Sequence, residues 1–209
     1  MRGFPASPPA HGARDAIRKA AAGRMTLALG LLFALLFSAA ISGCGSSARA
    51  YALEARSAYI SARAVLVGVE EFPSRMEELL RSADIAAVSG DASGLIADAR
   101  ALLPAASSAF RTAREKAELL GGEGNEKFAP YADMLLELIA LNEEVTAAHT
   151  ELIGLSNTVL GGLPYSEDPA SLMPTLTYMD EVAARIMELK ESIGRLEEET
   201  EALYRDITG

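Results

Sequence analysis

Two side chains carry most of the ligating and nucleophilic chemistry open to this chain: Cys44, its only cysteine, and His149, its only histidine after residue 11. Asn142 and Ser156 lie seven residues to either side of His149, so a helix would stack all three on one stripe. Such a stripe is a candidate ligand-binding line or a register-setting line in a core. The expectation here is a half-exposed edge of the helix seam, with no catalytic role. A di-iron bundle needs a Glu-x-x-His pair, but Thr146 stands three residues before His149 and no second histidine follows. A His/Cys zinc site has no ligands to draw on. No Gly-x-Ser-x-Gly, phosphate loop or dinucleotide fingerprint occurs, and the Gly121-Gly122-Glu123-Gly124 stretch reads as a connector. The acids Glu197, Glu198, Glu199 and Glu201 lack the alternating ligands and turn glycine of a calcium loop, so they read as a solvated helix face. No cofactor and no metal are expected, and the chain does not read as an enzyme.

Cys44 has a different context. Arg14, Arg18, Lys19 and Arg24 precede a stretch without charge, Met25 to Ala48, that contains Leu27-Ala28-Leu29-Gly30-Leu31-Leu32-Phe33-Ala34-Leu35-Leu36-Phe37. A basic leader, an apolar run and small residues at a cut site are the parts of a secretory signal. Ile41-Ser42-Gly43-Cys44 resembles the lipobox of bacterial lipoproteins. That resemblance implies removal of residues 1–43, a covalent lipid on Cys44, a short tether over 44–48 and a domain over 49–209. It implies an address on the outer face of the cell membrane. The alternative is an uncleaved span, since the run also satisfies the length of roughly 20 apolar residues that a membrane helix needs. Both readings export the rest of the chain, because the positive flank stays inside.

The leader carries five of the 19 Lys and Arg and one of the 29 acids, leaving 14 basic and 28 acidic residues, net −14. So acidic a domain is unsuited to nucleic acid. With its one cysteine assigned to lipid it must be held by its core, and Ala, Leu and Glu without Trp favour helix.

The elements that must position these residues read as four long helices with apolar residues alternately three and four apart. The first spans about 47–88 with a seam of Tyr51, Ala55, Ala58, Ala62, Val65, Val69, Phe72 and Met76. A turn at Ser89-Gly90-Asp91 leads to the second, about 92–120, through Ala92, Ile96, Ala99, Leu103, Ala106, Phe110, Ala113, Ala117 and Leu120. The third, about 126–161, offers Met134, Leu138, Leu141, Val145, Ala148, Leu152, Leu155 and Val159. The fourth follows Asp168-Pro169, with Leu172, Met179, Val182, Ile186, Leu189, Ile193, Leu196, Thr200, Leu203 and Ile207. Short connections predict antiparallel neighbours, hence an all-α, up-down-up-down bundle. The seams keep register across Pro73 and Pro104, so the first two helices are expected to bend there together; the alternative starts a new helix at Pro73, capped by Ser74 and Glu77. Folding about residue 90 would set Val69 on Phe110 and Phe72 on Ala106. Folding about 165 would set Leu152 on Met179, Val145 on Ile186 and Leu138 on Ile193. The function expected is a membrane-anchored binding or scaffolding module, engaging a protein partner or itself through helical faces. The alternative function is a ligand-sensing or ligand-carrying bundle with a pocket near Pro73 and Pro104.

Overall fold

A computed structural model describes residues 47–81, 85–122, 126–162 and 169–209. The leader, with Ile41, Ser42, Gly43 and Cys44, lies outside the described residues. Five helices follow one another: α1 (Ser47–Glu70), α2 (Phe72–Arg81), α3 (Ile85–Leu120), α4 (Ala129–Gly162) and α5 (Met173–Thr208). Single 3-10 turns, Glu126–Phe128 and Pro169–Leu172, lead into α4 and α5. Among the described residues there is no strand, and no helix long and apolar enough to cross a membrane.

Helices α1 and α2 are the first long helix with one interruption at Glu71. The ladder continues around it, Glu71 N donating to Val67 O at 3.1 Å and Arg75 N to Glu71 O at 3.0 Å. What is missing is the bond Pro73 has no N–H to make. Glu77 pairs with Arg81 rather than closing a capping box on Ser74. In contrast, α3 runs through Pro104 without a break, and that residue is exposed. The interruption therefore falls on one helix of the pair.

Contacts fix the topology. The Tyr59 and Phe110 rings pack at a tilt of 56° with centroids 6.5 Å apart, and a Cβ at Gly68 would stand 3.1 Å from Leu102 Cδ1, so α1 and α3 run antiparallel. Arg114 reaches Glu143 at 2.5 Å across α3 and α4, and Tyr131 packs on Tyr204 at 5.2 Å across α4 and α5. The order is up-down-up-down. The pairs across α1 and α3 centre that hairpin near residue 85, not 90, and Ser89-Gly90-Asp91 lies inside α3. The expected pairing of Val69 with Phe110 and Phe72 with Ala106 is thereby corrected: Phe110 meets Tyr59, close to three turns nearer the start of α1. Gly90 and Asp91 misled because turn-type residues also tolerate exposed helix positions, at about 1 kcal/mol for glycine. At the other hairpin Leu152 and Met179 fall together as expected, in one cluster with Ala148, Val182 and Ile186, and Leu138 and Ile193 share the main core, whereas Val145 belongs to that core and not to the cluster of Ile186.

The seams of α3 and α5 are the expected ones. Ala92 to Leu120 are buried at every named position on α3, and Val182, Ile186, Ile193, Thr200 and Ile207 are buried on α5. On α1 the expected Ala55, Ala62 and Val69 are buried, and only the other row of the core line is shifted by one residue. Ala52, Tyr59 and Leu66 are buried where Tyr51, Ala58 and Val65 were expected. The cause is a diagonal: α1 packs on α4 as well as α3, which turns its inner face toward the middle of the bundle. For its part, α4 buries two ridges, adding Tyr131, Leu135, Ile139, Asn142, Thr146, His149, Ile153 and Ser156 to the expected seam.

Candidate functional site

The polar stripe of α4 lies in the core. Asn142 is 0%, His149 1% and Ser156 6% exposed, which corrects the expectation of a half-exposed edge. Because α4 faces α1 across the diagonal, the ridge beside its main seam is buried too. A buried polar group needs a partner, and most find one on their own helix, four residues back. Thr146 Oγ1 donates to Asn142 O at 2.8 Å and Ser156 Oγ to Leu152 O at 2.8 Å. His149 Nδ1 lies 2.9 Å from Val145 O. A carbonyl only accepts, so Nδ1 carries the proton and Nε2 the lone pair. Burial, chiefly, holds the imidazole below its ordinary pKa; the Val145 carbonyl and Glu70 oppose this and Lys190 adds to it. His149 is neutral at pH 7.

Asn142 reaches further. Its Nδ2 donates to Leu138 O at 2.7 Å and to the Tyr59 hydroxyl oxygen at 3.2 Å. Both assignments stand, since flipping the amide would set its oxygen against the Leu138 carbonyl. The Tyr59 hydroxyl in turn donates to Glu197 Oε1 at 2.6 Å. Burial first, and then Glu197, push the phenol pKa far up, so Tyr59 stays protonated. Asn142 Oδ1 is left buried with no hydrogen-bond partner.

From Glu197 the network spreads along the facing sides of α1 and α5. Arg56 forks onto Glu201 at 2.7 and 2.8 Å, Arg63 lies 3.4 Å from Glu197, and Lys190 reaches Glu70 at 3.0 Å. Arg63 also bonds Glu70 at 2.9 Å. Burial alone would raise the Glu70 carboxyl; hydrogen bonds from Lys190 and Arg63 together outweigh it and hold the pKa low. The α1 partners fall at 56, 63 and 70, seven apart, and the signs run basic, basic, acidic against acidic, acidic, basic. A slip of α5 by one heptad would set Arg63 against Lys190. The ladder therefore opposes a wrong register, as flanking charges do in coiled coils.

Beside this ladder a cleft of about 160 Å³ opens between α1, α4 and α5, floored by Tyr131, Leu135 and Leu138 and rimmed by Arg56, Tyr59 and Glu197. Arg56 lies over the Tyr204 ring, 5.1 Å from its centroid. A wider groove between α3 and α4 runs past Arg111, Arg114, Glu143 and Thr150. Neither is lined by Pro73 or Pro104.

No side-chain acid or base is hydrogen-bonded to His149, and no three His, Cys, Asp or Glu among the described residues converge as a metal set. The acid run divides: Glu198 and Glu199 are exposed, while Glu197 and Glu201 are half-buried and paired. Reading the run as one solvated face missed those two. Their signal was present, since Glu197 and Glu201 stand four apart, flanking Thr200 of the seam.

The outer face of α1 is the second feature. Leu53, Ile60 and Val67 are 40%, 47% and 45% exposed, and Ser57, Ser61 and Ala64 between them are exposed as well. Every charged residue from Glu54 to Glu70 on this helix is turned aside onto a neighbour: Glu54 to Lys116 of α3, Arg56 to Glu201, and Arg63 and Glu70 to each other and to α5. The face between is uncharged. By contrast, the outer face of α5 exposes Glu181, Arg185, Glu188, Glu191, Arg195 and Glu198.

Comparison of the chain with protein families, with curated proteins and with solved structures found no match to it.

Proposed function

We propose that this chain is a lipoprotein anchored through Cys44 on the outer face of the cell membrane, whose bundle works by binding or scaffolding and not by catalysis. One observation carries the reading: the outer side of α1, the helix next to the anchor, presents an uncharged line on which Leu53, Ile60 and Val67 are exposed. Surface apolar residues aligned in a contiguous stripe, rather than scattered, mark interaction sites. Only two residues separate Cys44 from Ser47, the first residue of α1. At about 3.3–3.6 Å per residue, such a tether holds the start of that helix within roughly 10 Å of the lipid. The polar column of α4 supports the same reading, because Thr146, His149 Nδ1 and Ser156 bond the backbone of their own helix.

A second reading rests on Asn142 Oδ1. An unpartnered amide oxygen one bond from Tyr59, which lines the 160 Å³ cleft, favours a small amphiphilic ligand there and not at Pro73 and Pro104. The anchor is tested by feeding cells a fatty-acid probe. Wild type should label and begin at Cys44 by mass; Cys44→Ser should do neither. A Cys44→Ser chain that labels equally, or a wild type that keeps residues 1–43, would leave the uncleaved span instead.

A further inference from the structure

We infer that the outer face of α1 is the seam of a parallel, two-fold dimer of this chain on the membrane. Leu53, Ser57, Ile60, Ala64 and Val67 follow the spacing four, three, four, three, which is a second heptad line on the side of α1 away from the core. Large residues alternate with small ones. In a parallel pair each residue meets its own copy, so layers of Leu53, Ile60 and Val67 are separated by layers of Ser57 and Ala64 that let the backbones approach. Glu71, exposed at the next heptad position, would face its own copy and ends the line.

Charge selects the occupant. Two copies of net −14 repel one another over most of their surfaces, and the outer face of α1 is free of that repulsion because the charges of this helix from Glu54 to Glu70 are engaged inside the bundle. A self-complementary patch is what a two-fold interface requires. The direction rests on the proposed anchor: tethers this short hold both α1 starts at the same membrane, so the two helices rise side by side. Confinement there also raises the effective concentration, which a seam of two heptads needs.

Full-length chains with Leu53→Cys, Ile60→Cys, Val67→Cys or Glu191→Cys, each in native membranes under a mild oxidant, read this arrangement. A parallel seam gives a disulfide dimer at 53, 60 and 67 and, at the exposed α5 position 191, a yield at least about tenfold lower. Ala64→Glu added to Leu53→Cys should cut the dimer by about tenfold, since like charges then meet across the seam, with the circular dichroism of the purified chain unchanged. Dimers at 60 alone mean an antiparallel pair, and yields at 53, 60 and 67 no higher than at 191 mean chance collision; either result overturns the proposal. The unsubstituted chain is the control for the anchor. If it dimerises, Cys44 is a free thiol and the lipid reading fails, and the same four positions are then read in a Cys44→Ser background.

Discussion

Replacing Asn142 by Leu should make this protein more stable. Asn142 Oδ1 is buried with no partner, and an unsatisfied buried acceptor costs about 1–3 kcal/mol. The two bonds lost with Nδ2 are each worth about 0.5–1.5 kcal/mol net, but neither loss leaves an orphan. Tyr59 keeps its bond to Glu197, and the Leu138 carbonyl keeps its place in the helix ladder. Leucine also exceeds Asn in helix propensity by a few tenths of a kcal/mol and gains burial at a site with 0% exposure. The balance favours Asn142→Leu by roughly 1 kcal/mol, which for a chain of this size is a rise of about 2–4 °C in Tm. Urea unfolding of residues 46–209, followed by circular dichroism, measures it. A loss of more than about 1 kcal/mol at unchanged m-value would refute the reasoning. It would mean that Oδ1 is satisfied in solution, by ordered water or ligand, and that the cleft reading gains.

Below pH 6.5 the wild type should lose stability that His149→Gln does not. The folded imidazole pKa lies below its unfolded value of 6.5, so the unfolded chain binds the proton first and stability falls as pH drops through that window. Glu70 and Lys190 are the charged groups that act on it, and Glu70, whose own pKa is held low, adds its loss only as pH falls below the ordinary carboxyl value of 4.5. Parallel unfolding curves for the two proteins between pH 7 and 5 would contradict the assignment. Ile193→Ala should cost about 2–5 kcal/mol by urea titration, because Ile193 is 2% exposed in the main core, whereas Leu189→Ala, half-buried beside it, should cost clearly less. Glu70→Lys should destabilise by about 2 kcal/mol, below the 3–5 of a fully buried broken pair, because Lys190 remains partly solvated. Adding Lys190→Glu should restore part of that in a double-mutant cycle.

The all-α bundle and the antiparallel packing of successive long helices were legible because period and loop length are local signals. Ala92 to Leu120 and Val182 to Ile207 each present one apolar line, and each helix buries that line. The sequence is silent where a helix has two buried sides. On α4 the line Asn142, His149 and Ser156 is polar, so periodicity assigns it to an edge; only the diagonal approach of α1 makes it core. The same approach moves one row of the α1 core line from Tyr51 and Val65 to Ala52 and Leu66, while Ala55, Ala62 and Val69 stay where periodicity puts them. The turn at Ser89-Gly90-Asp91 failed for a complementary reason, since residue type states what a position tolerates and not where the chain reverses. The charge ladder was hidden because Arg56, Arg63 and Glu70 pair with residues more than a hundred positions away, and no local pattern couples them.

A photoreactive residue placed at exposed positions of the full-length protein in living cells tests the central claim most directly. The account predicts protein adducts from Ser57 and Ser61 on the outer face of α1, and none above background from Ser108 on α3, Glu144 on α4 or Glu188 on α5, all of them exposed. Adducts spread evenly over the four helices, or confined to a face other than α1, would contradict it.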